Sequence, residues 1–128
     1  MDAAAVAGWV AGYQRAWRSP GTGQLAMLFT EDATYSQEPY AEPVTGLAAI
    51  ARMWEAERDG AAEVFRMTSE IVAVDGVVAV VRVEVGYGEP AGEKWRDLWV
   101  IRFAADGRCA AFEEWPFSPT TRGPQPQI

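Results

Sequence analysis

The chain has 128 residues, with 18 acidic against 11 basic side chains, a net charge of −7, one cysteine and no histidine. The acidic balance argues against a nucleic-acid backbone or an anionic membrane surface as partner, because both are bound by clustered Lys and Arg. The missing histidine excludes Ser-His-Asp and Cys-His catalysis, haem ligation through His and the usual zinc sites. The lone Cys109 can build neither an intramolecular disulfide nor a zinc cluster.

Any acid–base chemistry therefore falls to Asp, Glu, Tyr, Lys or Arg, and no cofactor is called for. Hydrophobic residues make up 49% of the chain, with six Trp, five Phe and four Tyr. That composition supports one core of single-domain size, and large rings also line pockets for apolar ligands. The opening MDAAAVAGWV lacks a basic segment followed by a long apolar run, so it does not read as a signal peptide. No run approaches the roughly 18 apolar residues of a membrane span, and the expectation is a cytoplasmic protein.

In chain order, residues 2–18 read as a helix, because Val6, Trp9, Val10, Tyr13 and Trp17 form one stripe of a 3.6-residue period. Ser19-Pro20-Gly21 stops it. A short helix is expected over 22–29, then the start of a strand at Ala33 to Tyr35 and an irregular loop, YSQEPYAEPVTG. Thr45 reads as the N-cap of a third helix over 46–58, with Leu47, Ile50, Met53 and Trp54 on one face. The period then changes, and residues 63–74, 77–87, 94–104 and 109–117 read as strands. Asp75-Gly76 is a hairpin signal, Gly86 to Gly92 a longer turn and Ala105-Asp106-Gly107 a tight one. The Pro/Gly/Gln-rich residues 118–128 read as a flexible tail after a single domain spanning 1–117.

Helices followed by strands with short connections predict an α+β domain, its three N-terminal helices covering one face of a strongly bent antiparallel sheet. Alternation puts Trp95, Asp97, Trp99, Ile101 and Phe103 on the face toward the helices. It turns Val81, Val83, Val85 and Tyr87 the same way and leaves Arg82 and Glu84 outside. Apolar Leu98 and Val100 remain on the outer face, where a homodimer formed through the sheet would cover them.

A helix with an inward Tyr, then LAMLFTEDATY, a loop ending in TG, a helix opening LAAIARMW and strands ending WVIRFAADGRCAAFEEW resemble the nuclear transport factor 2-like superfamily over residues 5–117. SnoaL-like and ketosteroid-isomerase-like enzymes belong to it. The resemblance implies a cone-shaped half-barrel with a deep pocket between helices and sheet. That fold hosts isomerases, cyclases, epoxide hydrolases and plain binding proteins, so it does not by itself decide function.

Two subfamilies can be compared. Ketosteroid isomerases carry a helix-1 tyrosine sixteen residues before the Phe of the LF pair, and Tyr13 stands so to Phe29. Their Asp-Pro general base corresponds to Glu38-Pro39, with one extra residue before it. Their protonated oxyanion-hole Asp falls at Trp99, and Asp97 lies two residues earlier on the same face. Limonene-epoxide hydrolases carry Tyr-x-Asn, Arg-x-Asp and a last-strand Asp. Tyr35-x-Gln37, Arg82-x-Glu84 and Glu114 have similar spacing here, although alternation turns Arg82 and Glu84 away from the helices.

The catalytic candidates are thus Glu38, Asp97, Tyr13 and Glu114. Asp97, between Trp95 and Trp99, would have its pKa raised and could hold a proton for an oxyanion; it could equally be a buried Asp satisfied by a structural partner. Glu38 would be the base, if it is not simply a solvated loop acid. Tyr13 would meet a substrate oxygen, or be a core tyrosine with a hydrogen-bonded tip. One of Glu113 and Glu114 must face inward, and the resemblance favours Glu114 as a group orienting substrate or water. Tyr35, Gln37, Trp54, Trp95, Trp99 and Phe112 would contact the substrate. Arg82 and Glu84 would be catalytic only in the hydrolase reading, and otherwise form cross-strand ion pairs. The overall expectation is an isomerase- or cyclase-type enzyme for a hydrophobic small molecule. An epoxide-hydrolase-like enzyme and a non-catalytic binding or dimerisation module are the alternatives.

Overall fold

The computed structural model describes residues 1–58, 64–88 and 93–119. Helix α1 (Ala3–Arg18) is capped by Asp2, whose side chain accepts from the Ala5 N–H, and carries Arg15 and Arg18 in its last turn. Both ends suit the helix dipole. The expected second helix shortens to α2 (Leu25–Leu28), because Phe29 already turns extended to begin β1 (Phe29–Ser36). A two-residue strand β2 (Val44–Thr45) pairs back onto β1, Thr45 against Thr34. Thr45 therefore does not cap the third helix, as its sequence position suggests; it is held in the ladder. The N-cap of α3 (Leu47–Glu57) is Gly46, at φ 94°, a backbone that side chains rarely adopt.

Four long strands follow: β3 (Phe65–Asp75), β4 (Val78–Tyr87), β5 (Glu93–Phe103) and β6 (Cys109–Phe117). They complete a six-stranded sheet of order β2-β1-β6-β5-β4-β3. Every pairing is antiparallel except β1 with β6, which is parallel, a pairing the short connections do not imply. The Asp75-Gly76 hairpin forms where expected, with Gly76 at φ 60°. The expected tail lies, but for its first two residues, outside the described residues, as does much of the Gly86–Gly92 turn.

The helices pack on the inner face of the curved, unclosed sheet, giving the expected α+β cone. Trp9 stands at the narrow end, its Nε1 donating to the Leu28 carbonyl at 2.9 Å. Its ring meets those of Phe29, Phe103, Trp99 and Phe112 at centroid distances of 5.7 to 6.4 Å. Burial of each such side chain contributes roughly 1.5–3 kcal/mol. Arg58, just past α3, donates to the carbonyls of Ala16, Ser19 and Gly21 and pairs with Glu55, locking the ends of α1 and α3 together.

Candidate active site

The wide end of the cone is left hollow. A cavity of about 790 Å³ lies there, within the range of roughly 300–1,000 Å³ usual for small-molecule sites. Helix α1 lends it Tyr13, Gln14 and Trp17, and α3 lends Met53 and Glu57. The strands lend their inward sets, among them Tyr87, Trp95, Asp97, Trp99 and Glu114. The period-2 pleat decides this membership. Asp97 and Trp99 alternate inward on β5, and Glu114 sits opposite Trp99 on β6. Glu113 faces outward beside Trp115, to which it is hydrogen-bonded.

A chain of hydroxyls crosses the floor. Tyr35 donates to Glu114 Oε1 at 2.9 Å, and the Tyr13 and Tyr35 hydroxyls lie 2.7 Å apart. Since the Tyr35 proton goes to Glu114, Tyr13 donates to Tyr35. Burial raises both phenols well above 10, and the neighbouring Glu114 charge adds to the effect. The tyrosines thus remain hydrogen-bond donors at any working pH.

The two inward carboxyls differ. Burial pushes Glu114 up to about 8, the nearby Asp97 charge pushes the same way, and the Tyr35 bond draws it partly back. Asp97 is half-buried and burial pushes it up to about 6. Its Oδ1 has no hydrogen-bond partner among the described residues, nor has Trp99 Nε1. Trp99 lies near enough to lower the Asp97 value somewhat, without hydrogen-bond alignment. Near neutrality Glu114 holds its proton and Asp97 is mostly ionised.

Of the residues singled out in the sequence, the cavity brings together Tyr13, Tyr35, Gln37, Glu38, Trp95, Asp97, Trp99 and Glu114. Glu38 is exposed, at the mouth. Two do not line it. Trp54 is wholly buried behind Tyr13 and Trp17, and Phe112 is stacked on Tyr13. Arg82 and Glu84 lie on the outer face, paired with Glu70 and Arg96 respectively. The hydrolase-type cluster is therefore not assembled, because turning them inward would expose Val81 and Val83, both fully buried. Sequence reading missed Glu57, Tyr87, Gln14 and Trp17 as lining residues. Helical spacing carried a signal for two of them. Glu57 lies four residues after the inward Met53, and Trp17 four after Tyr13. Among the described residues no group of side chains could hold a metal ion, and no helix is long and apolar enough to cross a membrane.

Residues 10–112 match the model of the SnoaL-like domain, and the chain belongs to that family. A candidate isomerase of the SnoaL-like family from Agrobacterium tumefaciens superposes with a TM-score of 0.70 at 16% identity, over 89% of this chain and 98% of that one. A steroid delta-isomerase from Pseudomonas aeruginosa gives 0.65 at 22%, over 91% and 82%. A candidate ketosteroid isomerase from Parabacteroides distasonis gives 0.60 at 18%, over 88% and 87%. Likeness at these identities concerns the fold. No curated protein matches the sequence.

Proposed function

We propose that this SnoaL-like chain is an isomerase- or cyclase-type enzyme that moves protons on a hydrophobic small molecule, with Asp97 as base and Glu114 as neutral acid. One observation carries the reading: two carboxyls on adjacent strands face the same cavity, at about 6 and about 8, so one is charged while the other holds its proton. Titratable groups driven apart in this way are the usual mark of an acid–base pair. Family membership and the folds of the isomerase-like neighbours agree with it.

The step balances as follows. Asp97 removes a proton from carbon alpha to a carbonyl, and the electron pair moves onto the carbonyl oxygen. Glu114, protonated on Oε2 while Oε1 accepts from Tyr35, donates a hydrogen bond to that oxygen. Asp97 then returns the proton to the distal carbon of a conjugated dienolate, giving an isomer, or the enolate carbon attacks a second carbonyl and Asp97 gives its proton to the alkoxide formed there, giving a hydroxylated ring. Tyr13 and Tyr35 are positioning residues that hold Glu114. Glu38, in water at the mouth, is assigned substrate contact rather than the base role its position in the sequence suggests.

The outward Arg82 and Glu84 favour this reading over an epoxide hydrolase. Asp97 lines the cavity without an ion-pair partner among the described residues, which supports it over a binding module whose acids would all be paired by protein groups. The test is deuterium exchange from solvent into the alpha position of a panel of neutral hydrophobic ketones. Asp97→Asn should lower exchange by about 10²–10⁴-fold with the fold intact; undiminished exchange would remove Asp97 from the mechanism. On the outer face, Leu98, Trp115 and Phe117 are exposed apolar groups. A homodimer through this face is part of the proposal, and light scattering of wild type against Trp115→Arg decides it, a monomeric wild type being the contrary result.

A further inference from the structure

We infer that the ligand of this cavity is an apolar molecule bearing a protonated amine, its charged end toward the mouth. The inference rests on the cavity being the ligand site and refines the substrate class of the proposed reaction.

Four carboxyl-bearing side chains line the cavity, Glu38, Glu57, Asp97 and Glu114, and no Lys or Arg is among the lining residues described. Several cations are engaged away from it, and Arg18 is committed to the ring and carbonyl of Phe65. Arg58 is committed to carbonyls at the end of α1, Arg82 and Arg96 to acids outside the sheet, and Arg108 to Asp106. An anionic group entering the cavity would meet the charges of Glu38, Glu57 and Asp97, with no Lys or Arg among the lining residues described to repay its desolvation. Carboxylates, phosphates and carriers built on them are thereby disfavoured.

The aromatic lining points the same way. Indole and phenol faces attract cations, and more strongly where water is thin. Trp17, Trp95 and Tyr87 are half-exposed around the cavity, and Glu38 and Glu57 are the exposed acids among them. Phe65, another lining residue, already carries a guanidinium, with Arg18 stacked 3.8 Å from its ring centroid. Deeper in, Glu114 lines the cavity and holds its proton, so the inner end offers a neutral donor to an uncharged acceptor such as a carbonyl. An amino ketone, amine outward and carbonyl toward Glu114, fits both ends.

The test is calorimetry at pH 7 with three probes sharing one ring system: naphthylmethylammonium, naphthylmethanol and naphthoate. The ammonium should bind about tenfold more tightly than the alcohol, naphthoate should bind most weakly, and added salt should narrow the gap. Glu38→Gln with Glu57→Gln changes only exposed positions, so the fold is retained. It should reduce the ammonium's advantage over the alcohol at least about threefold. An alcohol that equals the ammonium, a naphthoate that equals the alcohol, or an advantage unmoved by the double variant overturns the inference. The two readings fail separately. Deuterium exchange into neutral ketones without any ammonium preference sinks the amine and keeps the acid–base pair; ammonium preference with no exchange in any ketone does the reverse.

Discussion

Replacing Glu114 by Gln removes the carboxyl that burial perturbs most in the cavity, while Gln still offers an oxygen to Tyr35. In the folded chain the Glu114 proton is held up to about pH 8, against an ordinary value of 4.5. The folded state therefore binds more protons than the unfolded state between those limits, and stability falls as pH rises. The contribution is whole below pH 4.5 and lost by the time pH passes about 8. At about 1.4 kcal/mol per pH unit, the full window is worth about 5 kcal/mol, part of it shared with the charge on Asp97. Asp97 has the same sign but is spent by about pH 6, so the interval from 6 to 8 isolates Glu114. There wild type should lose about 2–3 kcal/mol, out of the roughly 5–15 kcal/mol of a typical domain. Urea titrations followed by tryptophan fluorescence between pH 5 and 9 give the slope. Glu114→Gln should be nearly flat from pH 6 to 8 and more stable than wild type above 8. Parallel slopes for the two proteins would mean that Glu114 ionises as it does in water, and the acid role assigned to it would fall with the burial argument.

Tyr35→Phe removes the only hydroxyl bonded to Glu114 in the described structure, at a cost of about 1–3 kcal/mol. Because that bond lowers the Glu114 value, the pH-stability midpoint should move above 8; Tyr13→Phe should cost less, as checked in the same urea series. Arg58→Met removes the hydrogen bonds to the carbonyls of Ala16, Ser19 and Gly21 and the pairing with Glu55 made by a side chain only 4% exposed, and should cost about 3 kcal/mol by thermal melting. For an active substrate, the rate should follow a bell with limbs near pH 6 and pH 8, set by ionisation of Asp97 and loss of the Glu114 proton. A limb missing in Asp97→Asn but kept in Glu38→Gln would separate the two candidate bases.

Periodicity alone determined the fold class and the faces. The stripe from Val6 to Trp17 and the alternation from Trp95 to Phe103 each have a single direction that buries their apolar residues. That is why the sequence alone places Asp97 inside and Arg82 and Glu84 outside. Glu114 over Glu113 needed the family register as well, since alternation allows either until the β5–β6 pairing is set. Only the tertiary structure decided the rest. Trp54 and Phe112 carry the same inward signal as Trp95 and Trp99, but core and cavity are one surface in sequence, and only packing tells a filled region from a hollow one. Glu57 reaches the cavity because α3 lies across its mouth, and Thr45 joins a strand because β1 passes beside it. The roles of the two acids followed last. Proton affinity depends on how much water and which charges surround a carboxyl, and those neighbours, Tyr35 and Asp97 around Glu114, come from distant parts of the chain.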